Sequence, residues 1–116
     1  MPDHFWRDHL IQPSLDTGVD AAIAEQLAVL AKDPKNAKAF FALGTLSNLR
    51  GQIDEAILYL NKAIELDPAA AAPHVNLGRI YAVQENYAEA WKHARAAKAL
   101  GSRELVELLE RYPNLK

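Results

Sequence analysis

The stretch Asp33-Pro34-Lys35-Asn36-Ala37-Lys38-Ala39-Phe40-Phe41-Ala42-Leu43-Gly44 decides the fold, because it is answered by Asp67-Pro68-Ala69-Ala70-Ala71-Ala72-Pro73-His74-Val75-Asn76-Leu77-Gly78, 34 positions on. The Asp-Pro pair, Ala37 and Leu43-Gly44 all return unchanged. Further along, Glu55-Ala56 returns as Glu89-Ala90, Ala63 as Ala97 and Leu66 as Leu100. Conservative pairs fill the spaces between: Leu46 with Ile80, Leu49 with Val83, Ile57 with Trp91. No insertion breaks the register. A fixed period of this size is the mark of stacked units that bury one another's apolar faces.

Each unit reads as two helices. Residues ~37–50 form the first, ended at Arg50-Gly51-Gln52, where glycine takes the left-handed conformation after a helix. Residues ~53–66 form the second, with Ile53, Ala56, Ile57, Leu60, Ala63 and Ile64 on one stripe at helical spacing. Asp67-Pro68 stops it, since proline disfavours helical geometry in the residue before it. The next unit repeats the plan over ~71–84, a turn at Glu85-Asn86, and ~87–100, with Tyr87, Ala90, Trp91, Ala94 and Ala97 on the stripe. The Ala69–Ala72 run leads into its first helix, where Pro73 is tolerated in the first turn. Gly101-Ser102 closes the unit, with Ser102 expected to cap the helix that follows.

Composition agrees. The chain has 116 residues, 50% of them hydrophobic and 24% charged, enough apolar surface for a folded core. Twenty-one residues are alanine, which favours helices packed closely through small side chains. A net charge of −2 and a pI near 6.1 argue against a nucleic-acid partner, which needs a clustered basic surplus. No run approaches the roughly 20 apolar residues that span a bilayer, so no membrane partner is expected. The first residues, Met1 to Asp8, lack the apolar core of a signal peptide, and a cytoplasmic location is the expectation. Without cysteine there is no disulfide, thiol nucleophile or thiolate metal site.

These residues resemble the tetratricopeptide repeat (TPR) family. Its pattern of a bulky residue, Leu-Gly, an aromatic, two alanines in the second helix and a terminal proline is met by Phe40, Leu43, Gly44, Ala56, Ala63 and Pro68. The second unit supplies Leu77, Gly78, Tyr81, Ala90 and Ala97. His74 stands where Phe40 stands one unit earlier, Ser47 replaces the usual aromatic, and Ser102 replaces the terminal proline. The resemblance implies an all-α fold of helix-turn-helix repeats stacked as a short right-handed superhelix. It implies close approach of Gly44 to Ala56 within a unit, and of Ala63 to the next.

The ends are less regular. One period before Phe40 lies Trp6, and before Ala56 lies Ala22. Residues ~19–32, with Val19, Ala22, Ile23, Leu27 and Leu30, read as the second helix of an earlier, degenerate repeat. A short helix near 3–11 and an irregular link from Gln12 to Gly18 are expected before it. Residues ~103–112, with Leu105, Val106, Leu108, Leu109 and Tyr112 apolar and Glu104, Glu107 and Glu110 outward, resemble the helix that caps the last repeat. The expected layout is one TPR domain over 1–116: a degenerate repeat at 3–36, repeats at 37–70 and 71–104, and a capping helix with tail at 105–116.

In this family the first helices of successive repeats line a concave groove that holds peptide segments, which suggests a scaffold or adaptor without catalytic activity. Carried onto this chain, the groove is Lys38, Phe41, Ala42, Thr45, Asn48 and Leu49, then Ala72, Val75, Asn76, Arg79, Ala82 and Val83. The residues expected to contact a ligand are Lys38, Phe41, Thr45, Asn48, Val75, Asn76 and Arg79. Asn76 either holds a ligand's backbone amide or is merely solvated. Arg79 meets either a ligand carboxylate or a neighbouring glutamate. Phe41 is either an exposed anchor or a filler beneath the N-terminal segment.

A TPR subfamily grips acidic chaperone tails with lysine, arginine and asparagine, but only Asn76 matches that clamp. The other positions fall on Phe41, Thr45, Val106 and Glu110, so a chaperone tail is not the expected ligand. Self-association as a homodimer, through Trp6 or the last helix, is the alternative. No cofactor or metal is expected: His4 with Asp8 is too small a set, and His74 is expected to pack between the helices of its repeat. Gly44 and Gly78 serve packing inside helices, not phosphate binding.

Overall fold

A computed structural model describes residues 13–112, with side chains from residue 18 onward. Among the described residues every regular element is a helix: α1 (Pro13–Lys32), α2 (Ala37–Leu49), α3 (Ile53–Leu66), α4 (Ala72–Val83), α5 (Tyr87–Ala99) and α6 (Glu104–Glu110). The expected helix near 3–11 lies outside the described residues. Consecutive helices pack against each other, and α4 also meets α6.

One expectation fails at the start. The link expected through Pro13 to Gly18 is helical, and α1 begins at Pro13 itself. The reason is positional. A proline at the first helical residue forfeits an N–H that has no intrahelical acceptor anyway, and its fixed φ suits the helix. The proline that reads as a breaker is a start signal.

Three helices end in the same way. The N–H groups of Gln52, Asn86 and Ser102 donate back to the carbonyls of Ser47, Tyr81 and Ala97 at 2.9, 2.8 and 2.9 Å. The residues before them, Gly51, Glu85 and Gly101, carry positive φ of 80°, 62° and 104°. This is the closure in which a left-handed residue turns the chain back over its own last carbonyls. At the other ends, Asn36 caps α2 by accepting from the Ala39 N–H at 2.9 Å, and Asn86 caps α5 by accepting from the Glu89 N–H. The capping role expected of Ser102 is not found. α6 starts one residue later, after Arg103, with no side-chain cap, and the Ser102 N–H is spent on closing α5.

The small residues set the spacing. A Cβ at Gly44 would stand 2.6 Å from Leu60 Cγ and 3.3 Å from the Ala56 carbonyl oxygen, so α2 and α3 approach as closely as glycine permits. Ala56, Ala63, Ala90, Ala94 and Ala97 are all buried on the stripes of α3 and α5. Among the described residues, two apolar clusters result. One joins the two repeats through Ala56, Leu60, Leu77 and Ile80. The other joins α5 to α6 through Ala90, Trp91, Ala94, Leu105, Val106 and Leu109. Tyr81 packs against both. Each core spans a junction between units, which is how stacked repeats obtain stability that no unit has alone.

Candidate functional site

Helices α2 and α4 stand side by side with α3 beneath them, and the space between them is the candidate site. Among the described residues, hollows at either end line it. The first, about 210 Å³, is lined by Ala37, Lys38 and Phe41 of α2, Ala63 and Asp67 at the end of α3, and Ala70, Ala72 and Pro73 at the start of α4. The second, about 130 Å³, is lined by Asn48 and Ile53 with Arg79, Ile80, Val83 and Gln84. Between them a polar bridge crosses from one repeat to the next. Asn76 Nδ2 donates to Thr45 Oγ1 at 3.0 Å, and that hydroxyl donates to the Phe41 carbonyl at 3.1 Å.

The bridge rests on helical spacing. Phe41 and Thr45 are four residues apart, so the hydroxyl reaches the carbonyl one turn back, and its lone pairs are left to accept from α4. Asn76 is neither purely solvated nor wholly free for a ligand.

Lys38 and Asn48 are exposed at opposite ends of α2, and Leu49 and Val83 project into solvent at 70% and 85% exposure. Phe41 is half-buried against the Ala56, Leu60, Leu77 and Ile80 cluster. It therefore packs toward α3 and α4 and walls the first hollow. Arg79 pairs with Glu104 of α6, both side chains half-exposed. These two residues, with Glu107, Leu108 and Arg111, line a further hollow of about 350 Å³.

Val75 departs from its expected place. Only 7% exposed, it belongs to the core. It lies one period after Phe41, which is half-buried.

A feature of α4 and α5 goes beyond what the sequence reading singled out. His74 packs between the helices of its repeat as expected, and its partner is another histidine: Nδ1 of His74 lies 3.0 Å from Nδ1 of His93. The ring centroids are 5.2 Å apart, close to the nitrogen gap plus one ring radius at each end. The two nitrogens therefore point at each other across a hydrogen bond, with no room for an ion between them. Tyr81 stacks on His93 at 5.7 Å and 11°. Burial lowers the pKa of both imidazoles below the ordinary 6.5. For His93 the His74 charge and Lys92 lower it further, while Glu89 opposes them. The sequence held a signal for this pair. One period earlier the same two positions are Phe40 and Tyr59, whose rings also meet, at 6.2 Å.

Among the described residues no cluster of three metal-ligating side chains occurs, and no helix is long and apolar enough to cross a membrane.

A model of the TPR repeat matches residues 48–85, and a model of the tetratricopeptide repeat matches residues 26–58. Together they cover 26–85, just over half of the 116 residues. The chain is 36% identical over 84 residues to Protein CTR9 homolog of Arabidopsis thaliana, covering 70% of this chain and 8% of that protein. It is 33% identical over 66 residues to Protein O-mannosyl-transferase Tmtc3 of Drosophila melanogaster, covering 57% of this chain and 7% of that one. The chain thus spans less than a tenth of either relative. With the sequence recurring every 34 residues, Gly44 and buried alanines at the closest approaches, and two repeat models matching over 26–85, the chain belongs to the tetratricopeptide repeat family.

Proposed function

We propose that this chain is a non-catalytic adaptor or scaffold module that holds a segment of another protein in the groove between α2 and α4. The TPR is a protein-interaction fold, and the specific reading rests on one observation. Two hollows, walled by Phe41 and Pro73 on one side and by Ile53, Ile80 and Val83 on the other, flank the Thr45–Asn76 bridge. Such a groove suits a segment that offers two apolar side chains with a peptide group between them. Asn76 spends one amide hydrogen on Thr45 and keeps the other, with its Oδ1, to pair with that peptide group. Lys38 and Asn48 supply polar contacts at the ends. We place the protein in the cytoplasm, with its repeats wound as a short right-handed superhelix. The activities named for the relatives reside in chains about eight to nine times longer and are not carried over.

The test is affinity capture from native lysate with the wild type beside an Asn76→Ala/Arg79→Glu double variant. A partner held by the wild type and lost by the variant supports groove binding and identifies the ligand. A partner held equally by both places the interface outside the groove. A folded protein that captures nothing and sediments at twice 12.8 kDa would replace this reading with self-association.

A further inference from the structure

The two repeats close their helix pairs with different chemistry at the same place. In the first, Phe40 of α2 meets Tyr59 of α3 ring to ring, with no imidazole in the contact. In the second, His74 of α4 meets His93 of α5 through a single hydrogen bond between ring nitrogens. That bond needs one nitrogen carrying a proton and the other offering a lone pair. The bond survives while at most one ring is charged, because the neutral ring can turn a lone pair toward the other. With both rings charged, two donors face each other and two positive charges lie at the ends of a 3.0 Å contact, in a site where His93 is only 9% exposed.

We propose that the His74–His93 pair is a proton-sensitive clasp: acidification below neutrality loosens α4 from α5, while the Phe40–Tyr59 contact keeps α2 on α3. The groups around the pair do not cancel the effect. On α5, Glu89 favours a proton on His93 and Lys92 opposes it. On α4, Tyr81 covers the His93 ring. Among the described residues, no charged group of α3 or α6 acts on either imidazole.

The sign follows from linkage. Unfolded, both histidines take up protons near pH 6.5; folded, they take them up at lower pH. Below 6.5 the unfolded chain binds more protons, so stability falls with pH. It is complete above 6.5 and is lost as the pH drops through the lower folded values. The consequence reaches the groove, because α4 carries Asn76 and Arg79, and the Glu104 that pairs with Arg79 lies on α6, which is anchored on α5.

The experiment compares thermal melts at pH 7.5 and 5.5, at one ionic strength, for the wild type and a His74→Phe/His93→Tyr variant. The variant installs the first repeat's own pair and leaves the other histidines in place as a common background. The wild-type Tm is expected to fall by roughly a few degrees more than the variant's. Equal falls in both proteins overturn the proposal. Should the variant not fold, an NMR titration of the wild-type imidazoles decides. Two of the four histidines titrating below 6.5, each responding to the other, support the clasp, and four independent titrations at the ordinary value refute it.

Discussion

Leu105 of α6 occupies the space that a side chain at Gly78 of α4 would need, so the last helix lies on the second repeat at the closest approach the backbone allows. Leu105 is fully buried and has little freedom to move aside. Gly78→Ala is expected to cost about 1–3 kcal/mol through overpacking, and Leu105→Ala about 2–5 kcal/mol through the cavity it leaves. The double variant should be more stable than the sum of the two losses, because the smaller residue at 105 makes room for the added methyl. Denaturant melts of the four proteins measure this, and strict additivity would show that the two residues do not meet.

The first repeat has its own close approach. Gly44 faces both Leu60 and the Ala56 carbonyl, and Ala56 is fully buried. Gly44→Leu or Ala56→Leu should lower the Tm sharply. An overpacking cost of about 1–3 kcal/mol corresponds to roughly 4–8 °C for each kcal/mol in a small domain. An unchanged melting curve in either variant would contradict the register of the repeats.

Glu85 lies one period after Gly51 and adopts the same left-handed backbone, with φ of 62° against 80°. A side chain in this region costs about 1–2 kcal/mol, partly returned because glycine is more flexible when unfolded. Glu85→Gly is therefore expected to stabilise the protein by about 0.5–1 kcal/mol, read as a higher denaturant midpoint with an unchanged slope. A lower midpoint would mean that the Glu85 side chain contributes more than its backbone costs.

Asn36 satisfies the Ala39 N–H at the start of α2. Asn36→Ala should cost about 1 kcal/mol and Asn36→Asp much less, since aspartate caps as well as asparagine. Equal losses from the two substitutions would show that the bond contributes nothing.

Much of the fold was legible because it depends on local chemistry repeated at a fixed interval. The α3 and α5 stripes, the stop at Asp67-Pro68 and the left-handed turn at Gly51 follow from helical spacing and from what proline and glycine permit. The start of α1 was misread because Pro13 has opposite meanings inside a helix and at its first residue, and spacing alone does not separate them.

The groove was less legible. The sequence placed Lys38, Phe41, Thr45, Asn48, Asn76 and Arg79 along α2 and α4, but not what each side chain would touch. Asn76 and Thr45 are 31 residues apart, and His74 and His93 are 19 apart. Those bonds depend on how far one helix slides and turns against another, which no local pattern encodes. Val75 shows the same limit: helical spacing puts it on one face with Arg79, yet it is buried where Arg79 is exposed.

By itself the sequence determined the helices, their period and the small residues that let them approach, since these rest on interactions within a few residues along the chain. Only the tertiary structure decided which polar groups meet. A hydrogen bond is made or lost within a few tenths of an ångström, and that margin is set by the packing of every helix around it.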